Sequence, residues 1–293
     1  MKEKTIYALG FFDGVHVGHQ ALLEACRRLA RQHGTKAGAV TFTAHPDTLV
    51  LGRTPALINT PADRNMLLQH HIDSVLALPF DKAMMAMPWQ DFLEALLEKG
   101  AAGFVCGDDF RFGNRGAGNP LLLADFCRER GLPCKVVAAQ SIDGIRVSST
   151  HIRGLLEAGK MAEAVRFLGH PHVLSGQVIA GRQLGRTMGI PTANLALPEG
   201  VVCPKFGVYA CKATVRGEEF LAVTNVGTRP TVDGHHVTVE PWLLDFAGDL
   251  YGEVLTLRFY EFLRPEQKFD SLEALQAEIR KNGEQTRKIF EKT

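Results

Sequence analysis

The order of hydrophobic patterns along the chain is the feature that most constrains its fold. Up to about residue 168, short apolar runs alternate with helix-like stretches: TIYALGFF precedes a helix-like segment from about 17 to 33, and AGAVTF, SVLALPF and FVCG are followed by further loops and helix-like segments. Parallel strands need crossover connections, which are usually helices. The pattern therefore predicts an α/β domain with a parallel sheet, in which ligands bind beyond the carboxyl ends of the strands.

From about residue 171 the pattern changes to strand after strand. Turn-forming dipeptides separate the runs HVLSGQVIAG, GVYACKATV, EEFLAVTNV, HHVTVEPWLLDF and EVLTLRFYEFL, and a helix-like segment follows from about residue 271. This order is typical of a small antiparallel β-barrel with a C-terminal helix. Because the turn-forming GHPH sequence lies between the two patterns, we predict two domains, 1–168 and 169–293.

Charge and cysteine content argue against several classes of protein. The chain has 33 basic and 32 acidic residues and a formal net charge of +1. This balance gives no strong positive electrostatic field that would attract nucleic acid or an anionic membrane. Asp13 interrupts the first apolar stretch before it could act as a signal sequence, and no apolar run is long enough to span a membrane. The six cysteines lack disulfide-framework or zinc-site spacing. We therefore expect a cytoplasmic protein with reduced core thiols and small-molecule partners.

Two histidines stand where the first strand is expected to become a helix. In GFFDGVHVGHQALL, His16 and His19 fall on the first helical turn, where free N–H groups and the helix dipole favour an anion. Gly18 lets the backbone approach a phosphate closely. A bare His-x-x-His pair is more typical of solvated histidines, but the preceding strand and Asp-Gly turn favour a nucleotide-phosphate site. Such sites catalyse by positioning and by preorganised donors.

These residues open a longer resemblance. GFFDGVHVGHQALL, TFTAHP, GDDFRFGNRGAG and RVSSTHIRGLL resemble the first domain of the bacterial bifunctional riboflavin kinase/FAD synthetase family, which is a Rossmann-like nucleotidyltransferase domain. GQVIAGRQLGRTMGIPTANL, GVYA, NVGTRPTV, VEPWLLDFAGDLYG and LRPEQKF resemble the riboflavin kinase domain of that family. The resemblance covers nearly the whole chain in order.

The resemblance implies two consecutive reactions. Riboflavin and ATP would give FMN and ADP in the second domain, and FMN and ATP would give FAD and pyrophosphate in the first, by FMN adenylyltransferase activity. Both steps would use ATP as co-substrate and Mg²⁺. No partner beyond these small molecules is implied: we expect no nucleic acid, no membrane and no obligate protein partner.

In the first half, the resemblance implies a nucleotide site and a flavin site. His16 and His19 would hold the ATP phosphates, and the VSST stretch would form a second phosphate-binding signature, although alone it is more typical of an ordinary helix N-cap. The nucleotide residues would also include Asp13, Gly18, Ser148, Ser149, Thr150 and Arg153. The flavin residues would be His45, Asp109, Phe110, Arg111, Phe112 and Arg115, for which a packed loop and a solvated histidine are the alternatives.

In the second half, the glycine-rich loop GRQLGRTMG suggests contacts to a nucleotide, but its spacing matches neither a Walker A loop nor a Rossmann fingerprint. By resemblance, Thr192 and Asn194 are ligands of Mg-ATP, since this cation prefers oxygen donors; a polar turn is the alternative. The ATP-binding residues of this loop would be Gly181, Arg182, Gly185 and Arg186.

Glu240 stands inside an apolar strand pattern, where an acidic residue is unexpected because burying a carboxylate is costly. The resemblance implies a general base that accepts the proton of riboflavin's terminal hydroxyl; an outward-facing strand glutamate is the alternative. Four residues depart from the family pattern: Asn119, His170, Pro241 and Asn282. Pro241 removes a ladder N–H beside the base, and proline is tolerated in sheets mainly at an edge or a bulge.

Two other functions remain open from the residues. One half could have lost its chemistry, leaving a single-activity enzyme, or the chain could be a flavin-binding regulatory or carrier protein. The joint presence of His16, His19, Arg153, Asn194 and Glu240 argues against a carrier, because a carrier needs no base at a hydroxyl.

Overall fold

The computed structural model describes residues 3–50, 52, 55–179, 189–231 and 234–291. By packing, the chain divides into two compact units, one formed by 1–56 and 61–149 and the other by 57–60 and 150–293. The expected boundary at 168/169 thus falls inside the second unit, because the helix Met161–Leu168 packs its buried side on the strands that follow it. Where the functional domains divide stays a prediction.

The first unit is built on a five-stranded sheet in the order β3-β2-β1-β4-β5, and every neighbouring pair is parallel. The central strand is buried along its whole length because helices cover both faces. The predicted α/β architecture is confirmed. Its elements are β1 Thr5–Leu9, α1 Val17–Gln32, β2 Lys36–Phe42, α2 Pro46–Val50, α3 Pro61–Gln69, β3 Ser74–Leu78, α4 Lys82–Ala86, α5 Trp89–Glu98, β4 Ala101–Gly107, α6 Pro120–Glu129, β5 Cys134–Val137, and the hairpin of β6 Ser141–Ile142 and β7 Ile145–Arg146.

The second unit is a six-stranded antiparallel sheet in the order β8-β13-β10-β11-β12-β9. Its two edge strands approach each other, since a Cβ at Gly176 would lie 3.4 Å from the Leu195 side chain, so the sheet is a nearly closed barrel. This confirms the predicted barrel with a C-terminal helix. The elements are α7 Ser149–Glu157, α8 Met161–Leu168, β8 His172–Gln177, β9 Leu195–Ala196, β10 Gly207–Val215, β11 Glu218–Thr231, β12 Gly234–Leu243, β13 Val254–Arg264 and α9 Leu272–Glu291.

The two faces of the barrel wall differ. Alternate residues of β11, such as Thr224 and Val226, are fully buried in the barrel interior. The opposite face carries Val223 and its cross-strand partner Trp242. Gly283 of α9 lies against Trp242, with a hypothetical Cβ 3.0 Å from the Trp242 ring, so α9 covers this end of the outer face.

A short early segment, residues 57–60, belongs to the second unit although both of its flanks belong to the first. The Asn59 side chain donates to the Val173 carbonyl at 2.8 Å. Leu57 pairs with Val201: its N–H donates to the Gly200 carbonyl at 2.6 Å, and its carbonyl accepts from the Val202 N–H at 2.7 Å. The second unit is therefore assembled from two separate parts of the sequence.

All six cysteines are free thiols, as predicted, and four of them are buried. Burial raises the pKa of Cys26 to about 11 and that of Cys106 to about 12. Both thiols are therefore protonated and unreactive at neutral pH.

Candidate active sites

The loop after β1 has an unusual backbone. Phe12, Gly14 and Val15 all have positive φ, at 62°, 79° and 40°, and this conformation is costly for a β-branched residue such as Val15. Hydrogen bonds hold the loop in place: Thr41 Oγ1 donates to the Phe11 carbonyl at 2.8 Å, and Ser149 Oγ donates to the Asp13 carbonyl at 2.9 Å. The loop delivers the chain to the start of α1 in one fixed geometry.

His16 is the N-cap of α1, and its Nδ1 accepts the N–H of His19 at 3.3 Å. Because Nδ1 is an acceptor, the proton of a neutral His16 ring is on Nε2. The two imidazoles stack with centroids 3.6 Å apart. Burial, His16 and Arg64 lower the pKa of His19 well below its usual value, so this ring is uncharged at neutral pH.

The stacked histidines line a cleft of about 540 Å³, which is within the usual range for a small-molecule site. Asp109 on its rim is held by an ion pair with Arg146, Nη2 to Oδ2 at 2.5 Å. The positive end of the α1 dipole and the histidine donors suit the phosphates of a nucleotide. The cleft is lined by Gly18, Leu22, the histidines and the four segments 9–12, 107–110, 137–140 and 146–149.

A second cleft of the first unit, the aromatic cleft of about 480 Å³, has four phenylalanines in its lining. Phe42 meets Phe80 edge to face at 5.1 Å, and Phe92 lies 5.9 Å from Phe112. Such surroundings suit a flat, conjugated ring. Arg111 and Arg115 add two cations to the lining.

Arg64 of α3 is a buried cation between the linings of the two clefts. Its guanidinium lies 4.3 Å above the ring of Phe11, which lines the first cleft, and its Nη2 donates at 2.6 Å to the carbonyl of Phe42, which lines the second. Burial lowers the pKa of Arg64 to about 10, an effect that Asp13 opposes. The sequence carries no signal for this role, because an arginine on an amphipathic helix is expected to face solvent.

The structure divides the predicted flavin residues between the two clefts. Arg111, Phe112 and Arg115 line the aromatic cleft, whereas Asp109 and Phe110 line the histidine cleft. The two groups remain connected, because the rings of Phe110 and Phe112 stack at 5.5 Å.

His45 is part of neither lining. Its ring packs against Phe11 with centroids 4.6 Å apart, and its Nδ1 accepts the Asp47 N–H at 3.1 Å. His45 thus contacts a residue of the histidine cleft, Phe11, without being part of the cleft lining.

The predicted phosphate residues are also divided. His16, Gly18, His19, Ser148 and Ser149 line the histidine cleft, while Asp13 is buried in the preceding loop. Thr150 and Arg153 are counted with the second unit. There, Arg153 Nη2 donates to Thr150 Oγ1 at 3.2 Å.

In the second unit, Thr192 and Asn194 line a small pocket of about 70 Å³. Asn194 is 6% exposed, and its buried Oδ1 accepts no hydrogen bond from the residues that the structure describes. An oxygen without a donor is suited to a hard cation such as Mg²⁺. The predicted loop residues Gly181, Arg182, Gly185 and Arg186 lie outside the described residues.

Glu240 lies on β12 opposite Asn225 of β11, and Thr238 Oγ1 donates to its Oε1 at 3.0 Å. The pairing of β11 with β12 continues through Pro241 without a bulge. Pro241 is tolerated because β9 pairs only with Thr238 and Val239, so the proline lies beyond the end of that ladder.

The carbonyl of Pro241 accepts the N–H of Ala193 at 2.9 Å. This bond fixes the segment with Thr192 and Asn194 beside the strand that carries Glu240. The structure thus places the backbone segments of the predicted base and of the predicted metal ligands side by side, while Glu240 is not part of the lining of the small pocket.

Another departure from the family pattern has a simple role. Asn119 is the N-cap of α6, where its Oδ1 accepts from Leu121 and Leu122 N–H groups, both at 3.0 Å. Aspartate would cap a helix equally well, so this departure does not affect the site.

The chain is similar to known proteins along nearly its whole length. The family model described as FAD synthetase matches residues 1–151, and the one described as riboflavin kinase matches 168–290. The bifunctional riboflavin kinase/FMN adenylyltransferase of Listeria monocytogenes is 34% identical, over 98% of this chain and 93% of its own length. The protein of the same name from Escherichia coli K12 is 36% identical, over 99% of this chain and 94% of its own length.

A crystal structure of a protein from Streptococcus pneumoniae, described as a macrolide-efflux protein, is also similar. It has a TM-score of 0.88 and 28% identity, and covers 98% of this chain and 95% of its own. In the described part of this chain, no helix combines the length and apolar character needed to cross a bilayer. The two family models and the relatives at 34% and 36% identity show that the chain belongs to the bifunctional riboflavin kinase/FMN adenylyltransferase family and is an ATP-using transferase of flavin cofactor biosynthesis.

Proposed function

We propose that the two reactions take place at two separate sites, one in each compact unit. The second unit would phosphorylate riboflavin with ATP, giving FMN and ADP, and the first would transfer AMP from ATP to FMN, giving FAD and pyrophosphate. The observation that carries this proposal is the presence of a chemically different group of residues in each unit. The first has a stacked histidine pair at a helix N-terminus, and the second has a strand carboxylate whose strand is bonded to the segment that carries an unsatisfied amide oxygen.

In the first unit, a phosphate oxygen of FMN would attack the α-phosphorus of ATP, and pyrophosphate would leave. The Nε2–H of His16, the N–H of the neutral His19 ring and the first turn of α1 would donate to the oxygens on which charge develops. The flavin ring would lie in the aromatic cleft. Arg64, between the linings of the two clefts, would reduce the repulsion between the phosphates of the two substrates.

In the second unit, Glu240 would accept the proton of riboflavin's terminal hydroxyl while the hydroxyl oxygen attacks the γ-phosphorus and ADP leaves. The bond from Thr238 orients the carboxylate. Thr192 and the unsatisfied Oδ1 of Asn194 would hold Mg²⁺, which neutralises charge on the ATP phosphates when it is bound.

We also propose that the protein works in the cytoplasm, where its free thiols would stay reduced. Its substrates and products would be riboflavin, FMN, FAD, ATP, ADP and pyrophosphate, with no nucleic acid and no obligate protein partner. The functional domains would be 1–168 and 169–293.

A pair of variants tests the two-site proposal. His19→Ala should lower FAD formation from supplied FMN by about 100-fold to 1000-fold, the usual cost of a charge-stabilising group, and leave FMN formation unchanged. Glu240→Gln should lower kcat for FMN formation by about 100-fold to 10,000-fold while riboflavin binding survives. Chromatography resolves the three flavins, and fluorescence quenching reports riboflavin binding.

Each variant is the control for the other. If either substitution lowered both activities equally, a single shared site would replace the two-site proposal. Parent protein that makes FMN but no FAD, or the reverse, would be a single-activity enzyme.

A further inference from the structure

Gly227 lies in the interior of β11, where glycine weakens a strand and often marks the close approach of another group. Its φ is not among the positive values of the chain, so backbone conformation does not require glycine here. A Cβ at this position would lie 2.9 Å from Cδ of Glu266 and closer still to its Oε1. The absent side chain therefore makes room for the Glu266 carboxyl group, which comes from the segment after β13.

This carboxyl group shares a barrel face with the proposed base. Gly227 is the cross-strand partner of Thr238, and Asn225 is the partner of Glu240, so all four positions lie on one face. The Asn225 Nδ2 is 3.4 Å from the same hypothetical Cβ. Adjacent pairs on one face are about 7 Å apart along the strands. The Glu266 carboxyl group therefore lies about that far along the sheet from Glu240, a distance that a short polyol chain can span.

The rest of the face determines the direction in which a substrate can extend. Beyond Glu240 the next pair is Val223 and Trp242, and Gly283 of α9 covers Trp242. The proposed Mg-ATP ligands also lie at this end, because Ala193 is bonded to Pro241. From a hydroxyl at Glu240, the remainder of the acceptor substrate therefore extends the other way, toward Gly227 and Glu266.

We propose that Glu266 binds the internal hydroxyls of the ribityl chain of riboflavin. A carboxylate only accepts hydrogen bonds, and adjacent hydroxyls can each donate one, so the pairing is charge-assisted. Glu266 selects a polyol side chain on the flavin and positions it for Glu240, and Gly227 gives the carboxylate its place. This inference rests on the proposed kinase site.

The test compares two flavin substrates. One is riboflavin, and the other carries a 5-hydroxypentyl group at N10, which keeps the terminal hydroxyl and lacks the internal ones. Glu266→Ala should raise KM for riboflavin by about tenfold to 100-fold, the worth of a charged hydrogen bond, with kcat within about threefold. KM for the hydroxypentyl flavin should not change.

Gly227→Ala provides an independent test, because the added methyl displaces the same carboxylate. It should reproduce the selective rise in KM, and the double variant should be no worse than Glu266→Ala alone, since both substitutions remove one contact. Glu261→Ala, at an exposed glutamate of β13, is the matched control. If Gly227→Ala fails to fold, KM for the two flavins is compared in Glu266→Ala and Glu266→Gln instead.

Equal changes for the two flavins, or a riboflavin KM within about threefold of the parent, would overturn the ribityl contact. A loss of kcat on both substrates would assign Glu266 to the chemical step instead. If the parent made no FMN, the proposed kinase site would fail by a separate observation. Riboflavin affinity from fluorescence quenching would then show whether Glu266 still binds the side chain.

Discussion

His172 is a fully buried histidine on β8 that neither proposed reaction uses. Neither ring nitrogen has a hydrogen-bond partner among the residues described, and the ring lies 5.7 Å from that of Phe259. Burial and the nearby His170 lower its pKa to about 3. In the folded protein the ring is therefore neutral at every ordinary pH, whereas in the unfolded chain it titrates near about 6.5.

This difference predicts a pH-dependent loss of stability. The unfolded state binds the proton more tightly, so the contribution of His172 is intact above about pH 6.5 and is lost as pH falls toward 3. Between pH 7 and pH 5 the loss is about 2 kcal/mol. His172→Leu should remove it, as measured by urea unfolding at both pH values. His33→Gln, at an exposed histidine, is the control, and an unchanged pH dependence in the leucine variant would exclude His172 as its source.

Single residues were predictable from sequence only where a local pattern marked them. His16, His19 and Glu240 stand out because a polar group interrupts an apolar or strand-to-helix pattern. Arg64 and Glu266 carry no such mark, because charged residues on a helix or in a loop are ordinary surface residues. Their neighbours come from distant parts of the chain, and only the folded chain brings them together.

Among the secondary-structure elements, α9 is bonded to β13 through the buried amide of Asn282. Asn282 is 1% exposed; its Oδ1 accepts from Arg264 Nε at 3.1 Å, and its Nδ2 donates to Glu278 and Gln285 at 3.3 and 3.2 Å. This site needs an acceptor and a donor in one side chain, and asparagine supplies both. The departure from the family pattern at this position thus fits its surroundings.

Asn282→Asp should therefore destabilise the second unit, although aspartate is the residue that the family pattern predicts. The carboxylate would keep Arg264 but face Glu278 without a proton to donate, at a cost of about 1–3 kcal/mol. Glu278→Gln in the same chain should recover part of the loss. Thermal unfolding at pH 7.5 measures the effect, and an aspartate variant as stable as the parent would contradict it.

Periodicity predicted most elements but not their neighbours. The helix expected at about 17–33 is Val17–Gln32, and the longer strands of both halves lie where apolar runs indicated them, whereas the two-residue strands β6, β7 and β9 were not indicated. The aromatic cleft was not predicted, because its walls come from β2, α4, α5 and the loop before α6. An apolar pattern shows which face of an element is buried and does not show what covers that face.

In the whole molecule, α7 and α8 pack with the barrel in the second unit, and their presence affects the stability of any fragment of that unit. Phe167 and Leu168 of α8 are buried, and the N–H of Lys205 donates to the Leu156 carbonyl of α7 at 3.0 Å. A fragment of residues 169–293 lacks these helices and exposes the apolar surface that they cover. Burial of a large apolar side chain is worth about 1.5–3 kcal/mol, so their absence costs several times the effect of an ordinary substitution.

The fragment 150–293 should consequently unfold at a higher temperature than 169–293. Both should convert riboflavin to FMN and stop there, because both contain Thr192, Asn194 and Glu240. Calorimetry and flavin chromatography on the two fragments measure these outcomes. Equal unfolding temperatures would show that α7 and α8 add nothing to the barrel, and FAD from either fragment would contradict the assignment of the two activities.

The segment 57–60 links the timing of folding to the timing of synthesis. Asn59 can form its hydrogen bond only after Val173 has been added, 114 residues later in the chain. Ribosomes that add about 5–20 residues per second need roughly 6–23 s for this stretch. During this interval the first unit can complete its sheet, whereas Asn59 and Leu57 cannot yet form their bonds to Val173, Gly200 and Val202. A chain released before residue 173 therefore carries segment 57–60 without the rest of the unit to which it belongs, and such unfinished segments are targets of chaperones and proteases.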